Sequence, residues 1–199
     1  MKILVVLAHP DRKSFNHAIA ERIVNVLIKN RHDVTFHDLY EERFDPVIPA
    51  SEIRKNGTVE GKIQHYCNEL SSCDGIIFIH PNWWGQPPAI LKGWIDRVVR
   101  PGVAYKFNEN DSGEGIPEGL LKAQIAVVIN ISDTEDDRER SVFGDPLENI
   151  WKKCIFEFCG IKNFFRKTFR IIVTSTKAQR KNWLDESESI TKNLFPSTK

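Results

Sequence analysis

The sequence predicts an α/β fold, a three-layer sandwich in which helices cover both faces of a parallel β-sheet. Short apolar runs, which are too brief for free-standing helices, predict buried strands. Between them lie longer segments whose apolar residues recur every three or four positions, as they do in amphipathic helices. Strands and helices alternate through five units, and no linker rich in Gly, Ser or Pro divides the 199 residues. We therefore expect one α/β/α domain that spans residues 1–199.

The five strands are predicted by short runs that end at polar residues or at proline. Residues 3–8 and 75–79 are continuously apolar, whereas residues 33–39 alternate in polarity and are expected nearer a sheet edge. Two further runs, at 123–131 and 164–174, complete the sheet. In a doubly wound sheet of order 2-1-3-4-5, strands 1, 3 and 4 are neighbours.

Five helices are predicted by the periodic segments, and their expected bounds are 14–30, 60–71, 87–100, 142–159 and 176–194. Ser14 precedes the first helix, and Gly160 is a stop signal for the fourth. Residues 40–58 are charged and broken by proline and glycine, so we expect a surface excursion with a single helical turn at 51–55. The apolar side of the fourth helix is expected to comprise Phe143, Leu147, Ile150, Trp151, Ile155 and Phe158.

Composition argues against several classes of protein. The net charge of +1 offers little attraction for nucleic acid or for an anionic membrane. The apolar start of the chain is too short for a signal peptide, and no apolar run approaches the ~18 residues of a membrane span. We therefore expect a cytoplasmic protein that is not embedded in a membrane. The cysteines form no CxxC pair and are expected to be free, mostly buried thiols, at Cys67, Cys73, Cys154 and Cys159.

Three polar loops follow strands 1, 3 and 4, at residues 9–16, 80–86 and 130–134. Because the carboxyl ends of neighbouring parallel strands meet at one edge of the sheet, we expect these loops to share a crevice. In open α/β sheets such a crevice is where ligands bind. The three loops are therefore the candidate site.

The first loop predicts an anion site at the start of a helix. First-turn N–H groups lack intrahelical partners and carry the positive end of the helix dipole, and His9, Ser14 and Asn16 add side-chain donors. A purely structural interpretation is also open, in which Ser14 is only the N-cap of the helix. The loop contains no glycine, which argues against a Rossmann dinucleotide site and against a P-loop.

The second loop carries two adjacent tryptophans, Trp83 and Trp84, whose planar side chains suit a planar aromatic ligand. Position alone leaves open that they cap the core or fill a subunit interface. The third loop offers hydrogen-bond donors and acceptors for heteroatoms. A phosphate at one end and a flat heterocycle at the other describe a flavin mononucleotide.

Other chemistries fit less well. A metal site built from His9, Asp11, His80 and Asp133 is disfavoured, because both histidines precede a proline at a strand end, where they more often orient a loop. We expect no metal. No GxSxG elbow is present for a serine hydrolase, and Cys67 and Cys73 are expected to pack in the core rather than act as nucleophiles.

Two motifs carry a family resemblance. Residues 80–98, HPNWWGQPPAILKGWIDRV, resemble the P-x-x-W…P-A-I-L-K-G-W-x-D-R-V signature of the flavodoxin-like NAD(P)H:quinone oxidoreductases. Residues 8–18, AHPDRKSFNHA, are similar to the AH-x-x-x-x-SFN-x-A opening of the same family. This family includes the quinone reductases of drug metabolism and ancillary proteins of bacterial potassium efflux systems. The resemblance implies a flavodoxin-like fold, a homodimer, and a flavin bound at the dimer interface.

The resemblance also implies roles for particular residues. The phosphate side of the flavin would contact His9, Ser14, Phe15 and Asn16. The isoalloxazine would be lined by Pro81, Asn82, Trp83 and Trp84, with Gly85 and Gln86 continuing that wall. The third loop departs from the family, which commonly shows T-T-G-G there, followed by a Tyr and a His thought to assist hydride transfer. The residues that stand here and are expected to contact the flavin are Asn130, Ser132, Asp133 and Thr134. Because the Tyr and the His have no match, no catalytic residue is assigned.

The sequence thus predicts a flavoenzyme that takes hydride from NAD(P)H and passes two electrons to a quinone or similar small acceptor. One shared flavin face implies ping-pong kinetics. FMN is expected, with FAD as the alternative, because no motif indicates room for adenosine. A second hypothesis, by analogy with the efflux proteins, is a flavin-binding regulatory subunit that contacts a membrane transporter peripherally. A one-electron carrier is disfavoured, because carriers of that kind tend to be strongly acidic and the net charge here is +1.

Overall fold

A five-stranded parallel sheet forms the centre of the computed structural model, which describes residues 1–53, 59, 61–107 and 115–197. In chain order the strands are β1 (Lys2–Leu7), β2 (Asp33–Asp38), β3 (Gly75–Pro81), β4 (Tyr105–Lys106), β5 (Glu118–Gly119), β6 (Ile125–Ser132) and β7 (Phe164–Arg170). The sheet order is β2-β1-β3-β6-β7, and each neighbouring pair is parallel. This confirms the predicted order 2-1-3-4-5 for the five sheet strands. The short antiparallel pair of β4 and β5 was not predicted.

Helices cover both faces of the sheet. They are α1 (Phe15–Lys29), α2 (Ala50–Ile53), α3 (Gly61–Ser72), α4 (Ala89–Val98), α5 (Pro146–Glu148) and α6 (Lys177–Leu194). Alternate residues of a strand point to opposite faces, so β1 contributes Leu4 and Val6 to the core beneath α3 and α4. Its residues Val5 and Leu7 join the core beneath α1. The three-layer architecture is therefore the predicted one.

The predicted first and last helices are confirmed as α1 and α6. Ser14 is the N-cap of α1 and accepts a hydrogen bond from the backbone N–H of His17. Thr176 caps α6 in a reciprocal capping box with Gln179. Strand β7 ends earlier than the predicted residue 174, because the next residue, Ile171, has a left-handed φ of 59°. The turn predicted at 51–55 is found as α2, and residues 54–58 lie outside the described part of the chain.

The predicted helix 142–159 is not one continuous α-helix. Helix α5 gives way to a π-helical segment, Asn149–Glu157, in which hydrogen bonds span five residues instead of four. The wider turn brings Trp151 and Phe156, five positions apart, onto the same buried face, where their rings stack 5.7 Å apart. Phe143 and Phe158, which were predicted on the apolar side of one helix with Leu147 and Trp151, do not share their burial and are 50% and 38% exposed. An α-helical period had been assumed for a segment that does not follow it.

The prediction of free, mostly buried cysteines is confirmed. All four thiols are free, and burial is found for Cys67, Cys73 and Cys159, whereas Cys154 is exposed. Desolvation raises the pKa of Cys73 to about 12 and that of Cys159 to about 11. These two thiols therefore stay protonated near neutral pH and act as small apolar side chains. No helix in the described ranges is long and apolar enough to cross a membrane.

Candidate functional site

The three polar loops converge on one cavity at the carboxyl edge of the sheet. Strands β1, β3 and β6 are adjacent, and their pairing extends to Leu7 opposite Ile79 and Pro81 opposite Ile131. The loops that follow therefore emerge side by side. They enclose a cavity of about 370 Å³ lined by His9, Ser14, Phe15, Asn16, Pro81, Asn82, Trp83, Ile131, Ser132, Asp133, Thr134 and Ile172. Residues far apart in sequence are thus brought to one place.

The first loop presents the N-terminus of α1 to this cavity. Asn16, in the first turn, is only 3% exposed, and its Oδ1 atom has no hydrogen-bond partner among the described residues. Because rotation of the amide exchanges oxygen and nitrogen, Asn16 can offer either an acceptor or a donor to a ligand. A buried polar atom without a partner is rare in folded proteins, and here it lines a cavity beside a helix N-terminus. These features fit an anionic ligand.

His9 lies at the mouth of the same cavity as a neutral imidazole. Burial lowers its pKa, against the raising effect of a contact with the Asp11 backbone. The backbone N–H of Asp11 donates to His9 Nδ1 over 3.1 Å. The His9 ring lies 6.2 Å from that of Trp83, so the first and second loops are in contact there. His9 can therefore offer its Nε2–H to a ligand without carrying a charge.

The second loop is a tight turn with its two central residues in the left-handed region. Trp83 and Gln86 exchange both backbone hydrogen bonds, at 3.1 and 3.0 Å. Between them Trp84 has φ of 57° and Gly85 has φ of 70°. A bulky residue at positive φ is uncommon and strained, and Trp84 is also fully exposed. The turn thus holds an indole out towards solvent beside the cavity.

Asn82 ties the second loop to the third. Its Oδ1 accepts a hydrogen bond from Gly85 N–H over 2.9 Å, which stabilises the turn. Its Nδ2 donates to both carboxylate oxygens of Glu139, at 3.2 and 3.1 Å. Its backbone N–H donates to Ile131 O over 2.7 Å. Asn82 is therefore held by three independent contacts, so this wall of the cavity is preorganised.

Some polar groups of the third loop form hydrogen bonds that stabilise the loop itself. Ser132 Oγ accepts from Thr134 N–H over 3.1 Å, and Asp133 accepts from Val173 N–H over 2.9 Å. Arg170 donates to the carbonyl of Thr134 over 3.1 Å. Since Ser132 acts as an acceptor in this contact, its hydroxyl proton remains for another acceptor. Thr134 also lines the cavity.

A second cavity of about 480 Å³ adjoins the first. It shares Asn82 and Thr134 with the first cavity, and its other lining residues are Trp84, Gly85, Glu139, Phe143 and Pro146. Trp84 and Gly85, which sequence analysis assigned to the flavin wall, lie here rather than in the first cavity. Glu139 and Phe143 were not predicted as site residues. No group of three or more potential metal ligands occurs within the described ranges.

Comparison with known proteins identifies the family. The profile of the family described as having a flavodoxin-like fold matches residues 1–189. The chain belongs to this flavodoxin-like family. An uncharacterized NAD(P)H oxidoreductase of Haemophilus influenzae is 36% identical over 167 residues, which are 82% of this chain and 80% of that protein. NAD(P)H dehydrogenase [quinone] 1 of Rattus norvegicus is 34% identical over 81% of this chain, which spans 65% of that longer protein.

Solved structures show the same relationship. The NAD(P)H:quinone oxidoreductase of Methanothermobacter marburgensis superposes with a TM-score of 0.83 at 25% identity, and the match covers 98% of this chain and 96% of that one. An FMN-dependent NADH-azoreductase of Bacillus anthracis, solved in complex with FMN, superposes with a TM-score of 0.77 at 16% identity, over 98% of this chain and 99% of that one. The second likeness shows the shared fold alone.

One predicted site residue of this flavodoxin-like oxidoreductase, Asn130, lies away from both cavities. It is fully buried, its Nδ2 donates to His80 Nε2 over 3.0 Å, and its Oδ1 accepts from Arg166 over 2.8 Å. Trp151 Nε1 also donates to His80 Nε2, over 3.1 Å, so the proton of His80 is on Nδ1 and is donated to Pro81 O over 2.8 Å. The network thus fixes the backbone at Pro81 from behind the cavity.

Acid is expected to destabilise this oxidoreductase through His80. Burial lowers the pKa of His80 to about 4, from an ordinary value of 6.5. Because the unfolded chain binds the proton more tightly, the stability that depends on neutral His80 is complete above about pH 6.5 and is lost as the pH falls towards 4. We expect this group to cost about 2 kcal/mol between pH 6.5 and pH 5, since each unit corresponds to ~1.4 kcal/mol. Urea unfolding at a series of pH values measures the loss.

The matched variants separate His80 from the other histidines. His80→Gln is expected to be less stable at neutral pH and to show a flatter dependence of stability on pH. His65→Gln changes an exposed histidine on α3 and is expected to leave the dependence unchanged. An equally steep dependence in His80→Gln would contradict the assignment.

Proposed function

We propose that this protein is a flavin-dependent NAD(P)H oxidoreductase that passes two electrons to a quinone or similar small acceptor. The observation that carries the proposal is the first cavity, which joins a helix N-terminus and the unpartnered buried amide of Asn16 to an aromatic wall at Trp83. An anion and a planar ring system within one ligand match these two ends. Membership of the family supports the same conclusion.

The proposed flavin contacts follow from the lining of the cavities. His9, Ser14, Phe15 and Asn16 would hold the phosphate end. The ring would lie against residues 81–83 and 132–134, with the adjoining wall supplied by Trp84 and Gly85. We propose FMN as the cofactor, because the anion site rests on a single helix N-terminus and the described residues around the cavity show no second feature for a further phosphate. FAD is the alternative.

The chain's own residues would position and shield the reacting groups. Bound flavin supplies two-electron chemistry, accepting hydride from NAD(P)H and returning it to an acceptor. Asn82, held on three sides, would keep the cavity wall in place, so little reorganisation is needed on binding. Because Asn82 and Thr134 line both cavities, a substrate in the second cavity would lie directly against the first. We propose that the nicotinamide and the acceptor use this one place in turn, which gives ping-pong kinetics.

The exposed apolar residues around the second cavity support a homodimer. Trp84 and Phe143 line that cavity and are exposed, and Val142, next to Phe143 in the chain, is exposed as well. A cluster of this kind at the rim of a ligand cavity is typical of a contact surface. We propose that a second copy of the chain covers it and closes the second cavity. Light scattering of the purified protein tests this proposal.

Purified protein is expected to release FMN on denaturation and to oxidise NAD(P)H with a quinone. Mass spectrometry of the released flavin identifies the cofactor. Initial rates at varied NAD(P)H and quinone concentrations are expected to give parallel double-reciprocal lines. Intersecting lines would contradict a binding place that the two substrates use in turn. A colourless protein that takes up neither FMN nor FAD would overturn the proposal. Bound flavin without NAD(P)H oxidation would instead favour the regulatory alternative.

A further inference from the structure

A chain of three hydrogen-bonded side chains, Asp38, His17 and Ser14, leads from β2 to the anion end of the first cavity. His17 Nε2 lies 2.9 Å from Asp38 Oδ2, and His17 Nδ1 lies 2.9 Å from Ser14 Oγ. Asp38 is buried and His17 is partly buried. The other oxygen of Asp38 accepts the backbone N–H groups of Tyr40 and Glu41, at 3.1 and 3.2 Å. The carboxylate is therefore fixed in place, and Ser14 lines the cavity.

This geometry decides which nitrogen of neutral His17 carries the proton. A carboxylate oxygen accepts hydrogen bonds and cannot donate one, so Nε2 must carry hydrogen to face Asp38. Nδ1 is then an acceptor, and the hydroxyl of Ser14 must donate to it. In this state the hydroxyl proton of Ser14 is used in the hydrogen bond to His17. The hydroxyl therefore turns a lone pair towards the cavity, which repels an anion.

Protonation of His17 reverses the polarity of Ser14. Both imidazole nitrogens are then donors, and Nδ1–H donates to Ser14 Oγ. The hydroxyl proton is released and can turn towards the cavity, where it can donate to an anionic oxygen. The positive charge on the imidazolium adds attraction for the anion and remains paired with Asp38.

We propose that binding of a phosphate monoester dianion at the N-terminus of α1 takes up one proton, which is held by His17. The proposal rests on the proposed function, because it takes the phosphate of FMN as the anion. The phosphate monoester of FMN carries two negative charges on one phosphate, whereas each phosphate of the FAD diphosphate carries one, so the phosphate of FMN draws a proton to His17 more strongly. The Asp38–His17–Ser14 chain is thus a positioning device that favours FMN over FAD.

The charged groups around His17 are consistent with this assignment. Glu21, one turn further along α1, and Arg12 and Glu41, which form an exposed ion pair, line the same surface pocket as His17 and Asp38. Arg12 and Glu41 offset each other, and the carboxylate in direct contact with the imidazole is that of Asp38. His9 is the other histidine near the anion, with its ring 6.3 Å from that of His17. Among the described residues His9 makes no ion pair with a carboxylate, and burial lowers its pKa.

Calorimetry of the flavin-free protein tests the proposal. The heat of FMN binding is measured at about pH 7.5 in buffers of different ionisation enthalpy, and the slope gives the number of protons taken up. At this pH free FMN is already the dianion, because the second phosphate pKa is about 6. We expect the uptake to approach one proton for FMN, to be smaller for FAD, and to be absent for riboflavin, which lacks the phosphate.

Two variants locate the proton. His17→Gln is expected to bind FMN with no uptake, and Asp38→Asn, which keeps an acceptor for the backbone N–H groups, is expected to reduce the uptake and supplies the answer if His17→Gln does not fold. His65→Gln, on an exposed part of α3, is the control and should retain the full value. Equal uptake with riboflavin, or full uptake in folded His17→Gln, would overturn this proposal and leave the flavin site intact. If His17→Gln does not fold, full uptake in Asp38→Asn would overturn it in the same way. Failure of FMN and FAD to bind would overturn the proposed function and this proposal with it.

Discussion

Replacing Trp94 with alanine is expected to lower the free energy of unfolding by about 3–5 kcal/mol, the cost of removing a large aromatic side chain from a packed core. Trp94 is completely buried on α4, and its ring lies 6.3 Å from that of Tyr66 and 5.6 Å from that of Phe78. Its Nε1 has no hydrogen-bond partner among the described residues. The loss is therefore one of packing and of buried apolar area. Urea unfolding followed by circular dichroism measures it.

Trp84 provides the matched control in the same stretch of sequence. It is fully exposed in the single chain, on the turn after β3, so at a concentration at which the proposed dimer is dissociated Trp84→Ala is expected to change the free energy of unfolding by less than about 0.5 kcal/mol. The same variant removes a wall of the second cavity and is expected to raise KM for the acceptor. Similar losses of stability in the two variants would contradict the assignment of Trp94 to the core and of Trp84 to the site.

Asn16→Asp is expected to weaken FMN binding by about 100-fold or more, equivalent to about 2.7 kcal/mol. The substitution preserves the shape of the side chain. It places a carboxylate against the proposed phosphate, at a position that is only 3% exposed. Two like charges at close range in a partly desolvated site repel strongly. An acidic residue in the first turn of a helix interacts favourably with the helix dipole, and this limits the loss of folding stability. Fluorescence titration of the flavin-free protein with FMN measures the affinity.

Asn25→Asp makes the same chemical change further along α1, at an exposed position. It is expected to change FMN affinity by less than about threefold, because its charge is screened by solvent. Thermal unfolding of both variants shows whether the fold is retained. If folded Asn16→Asp bound FMN as tightly as Asn25→Asp, the phosphate would have to bind elsewhere.

Much of the site was predictable because its residues follow local rules. Apolar runs that end at His9, His80 and Asn130 marked three buried strands, and parallel strands of one sheet end at the same edge. Ser14 before a periodic apolar segment marked the start of α1. These signals extend over a few residues each and need no knowledge of distant partners. They were sufficient for the sheet order and for the convergence of the loops.

Other features depend on contacts that local patterns do not report. Asn130 and Ser132 lie two residues apart on β6, yet Asn130 is bound by His80 and Arg166 whereas Ser132 lines the cavity. Glu139 was missed because it lay in a charged run typical of a solvated loop. Its burial depends on Asn82, 57 positions earlier in the chain. No pattern of sequence spacing predicts a contact between two such residues.

The linear pattern of apolar, polar and turn residues determined the α/β architecture and the place of the ligand crevice. In each strand and helix, the spacing of the apolar residues along the sequence indicates which face is buried. The identity of the polar groups that meet there, and their protonation, was settled by folding. The Asp38–His17–Ser14 chain and the His80 network join side chains from separate strands and helices. Hydrogen bonds act over about 3 Å, so their partners are chosen by packing in three dimensions and not by distance along the chain.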